Sequence, residues 1–238
     1  MGGLTRPDAI FGTHRPGPSA GELNTALDAT RTIFRDDATA TGALEDFYDP
    51  TGNYAGLTFL ELGTNDSQSI EIDDLLAITL LEVAAIPHAV RQLLEDGKRR
   101  GEIADALAAV GEDIDLADAD ASTLEAAANL YSVVKPMLGG PSAAHSNRWV
   151  TAGKLCARKR PKLIPVRDNV VASALGLTNR DFRTDWLAFR HLVRDPHVRS
   201  GLSTITVRAA ATNPDIALVP QLRRLDTVLW WCSPRNRR

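Results

Sequence analysis

Between Arg148 and Asp168 the chain carries seven Lys or Arg residues, Arg148, Lys154, Arg158, Lys159, Arg160, Lys162 and Arg167, and no acidic residue before Asp168 itself. Cations gathered at one helix–loop–helix junction concentrate positive potential, and the chemistry this suits is contact with a polyanion, phosphate by phosphate. The same cations could form a solvated face that pairs with acidic residues elsewhere in the chain. Asp168 suits a different chemistry. A carboxylate beside an anomeric carbon can stabilise an oxocarbenium-like sugar and orient an attacking water. Its structural alternative is an N-cap, with one carboxylate oxygen accepting a backbone N–H at the start of a helix through Val170, Val171, Ala174 and Leu175. The two roles are compatible.

These residues need a short helix around Thr151, a basic turn bracketed by Pro161 and Pro165, and a second helix opening at Asp168. The rest of the chain reads as further helices. Leu23, Ala26, Leu27 and Phe34 suit one over Glu22 to Arg35. Ile72, Leu75, Leu76, Thr79, Leu80 and Val83 recur at helical spacing behind Glu71, Asp73 and Asp74, which the helix dipole favours in a first turn. This pattern predicts a core helix with Leu76 buried. Pro87 opens a helix to about Asp96, Lys98 begins another that ends at Val110, and Ser122 can cap one running toward Pro136. Phe182, Trp186, Phe189 and Val193 share a face, a weaker segment covers Leu202 to Ala211, and Leu218, Leu222, Leu225 and Leu229 line the last helix. Leu57 to Leu62 could be extended, and Asp113 to Asp120 reads as an acidic linker. With no alternating strand series, the expected class is mainly α: eight to ten helices and at most a short strand pair.

Composition narrows the functional classes. The chain has 238 residues and 44% hydrophobic content, enough for a substantial core. The expected organisation is an irregular arm over 1–20 and a single helical domain over 21–238. The formal charge of −3 conceals a division: residues 141–238 hold 18 Lys and Arg against 6 Asp and Glu, whereas the residues before them hold 9 against 24. An acidic part (21–140) and a basic part (141–238) can dock on each other, or the basic part can present a binding surface. Cys156 and Cys232 lie far apart without metal-ligand spacing, and His145, His191 and His197 have none either, so no metal and no cofactor is expected. No nucleotide-binding glycine loop, zinc-hydrolase helix or nucleophile elbow is present. The N-terminus lacks the apolar run of a signal peptide, and no later stretch is long and apolar enough to span a membrane, so a cytoplasmic location is expected. Trp149, Trp186, Trp230 and Trp231 fall mostly in apolar helical patterns and read as core anchors.

The central stretch resembles helix-hairpin-helix DNA glycosylases over about forty residues. Thr151-Ala152 sits in an amphipathic helix, a proline-marked loop follows, and Pro165-Val166-Arg167-Asp168-Asn169-Val170-Val171 leads to Leu175-Gly176. In that family a Gly-Val-Gly-x-x-Thr-Ala hairpin precedes a Pro-Val-Asp that supplies the catalytic aspartate. The resemblance therefore implies a glycosylase-like helical fold, Asp168 as the catalytic carboxylate and DNA, ahead of RNA, as the partner. The chain departs from the family where Ser146-Asn147-Arg148-Trp149-Val150 stands without the hairpin glycines. Val150 replaces the lysine that bifunctional members carry, which implies a monofunctional enzyme if any, and Arg167 separates Val166 from the aspartate. The whole chain is also similar to an actinobacterial family of unknown function that carries the Lys-Leu-x-Ala-Arg-Lys-Arg-Pro-x-Leu-Ile-Pro-Val element and an upstream Leu-Gly-Thr-Asn-Asp turn.

Three functional expectations follow. The first is a nucleic-acid-binding protein that uses the seven cations, with catalysis left open. The second is a monofunctional base-excision glycosylase using Asp168. The third is a non-catalytic interaction module with a charged surface.

Overall fold

The computed structural model describes residues 17–139, 148–178 and 181–233, so most of the irregular arm expected over 1–20, the Ser146-Asn147 part of the hairpin and the Arg-rich tail lie outside the described residues. Within them the chain is helical and no residue is in a strand. The α-helices are α1 (Ala20–Arg35), α2 (Asp37–Tyr48), α3 (Gly56–Glu61), α4 (Ile72–Thr79), α5 (Pro87–Val90), α6 (Gly97–Val110), α7 (Ala121–Met137), α8 (Trp149–Lys159), α9 (Asn169–Ala174), α10 (Phe182–Arg194), α11 (Pro196–Thr212) and α12 (Gln221–Trp231). A π-helical turn, Arg91–Glu95, continues α5, and a 3-10 turn, Pro214–Ala217, precedes α12. Among the described residues α2 and α3 add to the eight to ten helices that the sequence predicts, and the segment from Leu57 to Glu61 is helical, not extended.

Aspartate starts many of these helices. The side chains of Asp36, Asp96, Asp120, Asp168, Asp181 and Asp195 each accept a backbone N–H in the first turn that follows. These caps satisfy donors that no intrahelical carbonyl can reach. Asp120, rather than Ser122, caps α7. Ser19 and Glu22 form a capping box at α1, and Glu22 also accepts from Thr178 Oγ1 at 2.7 Å, which ties the first helix to the segment after α9.

Helix α8 lies at the centre of the packing. Every residue from Thr151 to Lys159 is buried, including its cations. It can approach its neighbours this closely because of Gly153, where an added Cβ would lie 2.9 Å from Arg167 Cβ and 3.1 Å from Tyr131 Oη. Helices α4 and α7 pack against α8, α6 pairs with α7, and α2 sits against α11 and α12. The acidic linker docks on the basic part. Leu116 N donates to Lys162 O at 3.0 Å, Arg190 Nη2 to Ala119 O at 2.5 Å and Arg194 Nε to Ala117 O at 2.6 Å.

Helix α4 differs from the sequence reading. It faces the interior with Asp74, Leu75, Ala77 and Ile78, while Ile72, Leu76 and Leu80 are 66%, 54% and 37% exposed. The apolar repeat was real, but the buried face is the one carrying Asp74. Leu76→Ala is therefore expected to change stability by less than about 0.5 kcal/mol, as for an ordinary surface position. Leu75→Ala should cost about 2–5 kcal/mol, the usual penalty for truncating a buried leucine. Urea unfolding of the two variants checks the assignment, and the reverse order would contradict it.

Candidate functional site

The basic run is turned inward. Arg158 Nε donates to Asp74 Oδ1 at 2.7 Å, and its two terminal nitrogens donate to the carbonyls of Phe59 and Leu62. Lys159 Nζ lies 2.5 Å from Asp74 Oδ2 and donates to Asp66 O at 2.8 Å and Asn65 Oδ1 at 3.2 Å. Arg160 donates to Ser67 O at 2.9 Å and Leu107 O at 2.6 Å. The three side chains thus hold the loop between α3 and α4 by its carbonyls, which have no helical partner to satisfy them. Asn65 (φ 43°) and Gly63 (φ 67°) give that loop the left-handed turns it needs. At Gly63 a Cβ would fall 1.9 Å from Asp73 Oδ2.

This arrangement turns the run toward the protein interior and not toward solvent. Arg158, Lys159 and Arg160 are 0%, 4% and 1% exposed, and every one of them donates to the protein, although Arg160 Nε is enclosed without a partner. Arg167 is buried against Asp185, and Lys154 is buried with its ammonium on Leu81 O. Lys162 reaches solvent but pairs with Asp113 at 2.5 Å, and Arg148 is half-buried at the start of α8. The seven cations do not form a single exposed track among the described residues.

Asp168 lies elsewhere. It is in extended backbone before α9 and caps it, with Oδ1 accepting from Val170 N at 2.6 Å. The cap expected from the sequence is therefore present. What separates Asp168 from the other aspartate caps is that it also lines a cavity of about 320 Å³ bounded by α2, α3, the turn after α4, α8, α9 and α12. A pocket of this size suits a small ligand. Phe47, Tyr54 and Trp230 form part of its wall, with ring centroids 5.8 to 6.0 Å apart. Lys154, Glu82, Arg223 and Asp226 bring charge to the same space.

The electrostatics follow from burial. Desolvation lowers the Lys154 ammonium from its ordinary value, opposed by the carboxylates of Asp168 and Glu82. Glu82 has φ 60°, an uncommon backbone for a residue with a side chain, and lies beside the Leu81 carbonyl that Lys154 holds. Burial pushes Asp226 up to about 6, against the pull of Arg223 and of the Val166 N–H that Asp226 accepts at 3.1 Å. Arg223 Nη2 lies 2.8 Å from Asp226 Oδ2 and also donates to Ile164 O at 2.5 Å, while its Nε donates to Pro161 O at 3.0 Å. Helix α12 thus holds the whole Pro161–Val166 segment that delivers Asp168. Tyr48 Oη and Thr227 Oγ1 share a hydrogen bond of 2.9 Å beside it.

Away from the cavity, burial raises Asp185 to about 7 despite its partner Arg167. A carboxyl raised in the folded state binds its proton more tightly there than in the unfolded chain. The stability it contributes is complete below about pH 4 and is lost as pH rises through the folded value. For Asp226 that window runs from about pH 4 to about 6, and for Asp185 to about 7. Asp226→Asn is therefore expected to remove part of the fall in stability between pH 4 and 6. Urea midpoints of wild type and variant across pH 4 to 8 check this, and parallel curves would contradict it.

Sequence reasoning identified Asp168 and Lys154, the latter for a different role, and missed Asp226, Arg223 and the aromatic wall. The available signal was Arg223 and Asp226 lying between Leu222, Leu225 and Leu229, charges set within an apolar helical pattern. Among the described residues no group of His, Cys, Asp or Glu is arranged to hold a metal ion, and no helix is long and apolar enough to cross a membrane.

A helical chain with a small charged and aromatic cavity defines the class. Residues 40–233 match a family of unknown function, DUF6308, and the chain belongs to that family. No curated protein and no solved structure matches it.

Proposed function

We propose that this chain is a glycosylase-like hydrolase that takes a planar heterocycle the size of a nucleobase into the cavity and cleaves its N-glycosidic bond, with Asp168 as the carboxylate. One observation carries the reading: Asp168 caps α9 through Oδ1 alone and lines an aromatic-walled cavity, and no described residue donates to its other oxygen. A carboxylate oxygen in that position can stabilise positive charge developing on a sugar as the base departs, and can accept a proton from the water that replaces it. The aromatic rings offer stacking to the heterocycle, worth about 1–3 kcal/mol per base at comparable sites. The spacing from Thr151 to Asp168, similar to that of helix-hairpin-helix glycosylases, agrees with this role. Binding of nucleic acid along the Arg158–Arg160 run is not part of the proposal, since those side chains are enclosed.

Calorimetric titration of the wild-type protein with free bases and nucleosides tests the ligand class. At least one heterocycle should bind, and Trp230→Leu should weaken it by about tenfold, the equivalent of one lost stacking contact. Absence of binding by every heterocycle, or binding indifferent to Trp230→Leu, would count against the proposal.

A further inference from the structure

We propose that the open groove between α11 and α12 is a binding site for a small phosphomonoester, held by Arg199 and Arg224. The site is separate from the aromatic cavity, and the inference does not depend on the reaction proposed above.

Helical spacing builds the groove. On α11 Arg199, Ser200, Ser203 and Val207 are linked by steps of three and four and share a face, and on α12 Gln221 and Arg224 do the same. These faces line a space of about 480 Å³. Helix α12 turns Arg223, Asp226, Thr227 and Trp230 to the cavity and Gln221 and Arg224 to the groove, so the two sites use different sides of it.

The charge in the groove is of one sign. Among the described residues that line it there is no Asp or Glu. Arg199 is exposed, and its guanidinium has no hydrogen bond or ion pair to a described residue. Asp195, four positions before it, caps α11 and pairs with Arg31 at 2.8 Å. Arg224 is half-buried. Its Nη1 lies 3.5 and 3.4 Å from the carbonyl oxygens of Ile216 and Ala217, which position the guanidinium at the end of the 3-10 turn. Its Nε is enclosed and takes no part, whereas Nη2 is not enclosed and has no acceptor among the described residues. A partly desolvated cation without a counterion is costly, and a bound anion offsets that cost. Ser200 and Ser203 are exposed and bring two hydroxyl donors, while Thr206 Oγ1 is committed to Leu202 O at 2.7 Å.

These donors select the anion. Two guanidinium forks that keep their charge at every ordinary pH match the two charges and three oxygens of a phosphomonoester. A carboxylate would answer one fork and leave the other. A nucleic-acid backbone is held by cations repeated along a track, and the groove offers a pair. Val207, 70% exposed, and Pro196 give the organic part of a small ester an apolar edge to rest on.

Calorimetric titration of the full chain with phenyl phosphate at constant ionic strength tests the site. The wild type should bind it saturably, and more tightly as pH rises through about 6, where the second phosphate charge forms. Methyl phenyl phosphate, a diester with one charge, should bind about tenfold more weakly or worse. Arg199→Gln should weaken phenyl phosphate by about tenfold or more with the urea midpoint unchanged, because Arg199 is exposed. Arg224→Gln should do the same to binding. Ser203→Asp, at an exposed position, supplies a second variant whose folding is not in question, and its carboxylate should abolish binding. Trp230→Leu should leave binding intact, which separates the groove from the aromatic cavity. No binding by the wild type at millimolar phenyl phosphate, equal binding of the diester, or binding unchanged in Arg199→Gln and Ser203→Asp would overturn the proposal. Loss of binding in Trp230→Leu, or tighter binding of a single-stranded oligonucleotide through the same arginines, would overturn it as well.

Discussion

Asp74→Ala is expected to destabilise the protein by about 3–5 kcal/mol, the range for removing one partner of a buried ion pair. Asp74 is 1% exposed and serves two cations at once, Arg158 at 2.7 Å and Lys159 at 2.5 Å. It also accepts the Glu71 N–H at 2.8 Å at the head of α4. Truncation leaves two charges enclosed without a counterion and a helix end without its cap. Water cannot fully replace the carboxylate there, and salt screens a buried group only weakly, so the loss should persist at high ionic strength. A marginally stable domain has about 5–15 kcal/mol in total, so the variant should unfold at far lower urea. Asp74→Asn preserves shape and cap and should lie between the two. A loss below about 1 kcal/mol for Asp74→Ala would mean that the inward-facing run is not what holds the α3–α4 loop. By the same argument, joint replacement of Arg158, Lys159 and Arg160 by Ala should yield a protein that does not fold.

The limits of the sequence reading have physical causes. Arg158-Lys159-Arg160 reads as an exposed phosphate-binding run, or else a solvated face, because its partners, Asp74 and carbonyls of residues 59–67, lie about ninety positions upstream in a contact that local periodicity cannot register. Helix α2, with Thr and Gly in Asp37–Tyr48, has modest intrinsic propensity, and its packing on α11 and α12 supplies what propensity lacks. Leu76 fits the apolar repeat of α4, but the repeat does not say which of two apolar faces is buried, and Asp74 selects the other. Asp168 was legible because capping is local chemistry and because its distance from Thr151 resembles a known arrangement. The cavity was not, since Phe47, Tyr54, Lys154, Asp168, Asp226 and Trp230 come from four separated stretches and meet only in the fold.

The central claim is that Asp168 works on a bound base rather than only on a helix. A carboxylate that stabilises charge appearing in the transition state affects turnover more than binding, so Asp168→Asn should lower base release by about 10²–10³-fold and leave ligand affinity nearly intact. Asparagine caps a helix about as well as aspartate, so the fold should be unchanged within about 0.5 kcal/mol, whereas Asp168→Ala should cost about 1 kcal/mol through the lost cap. The difference between these substitutions separates the chemical role from the structural one. The direct measurement is base release from nucleosides and from duplexes carrying a panel of damaged or modified bases, wild type against Asp168→Asn at matched folding. The expected result is release of at least one base by the wild type and a hundredfold or greater fall in the variant. Release by neither protein, or release undiminished in Asp168→Asn, would contradict the claim.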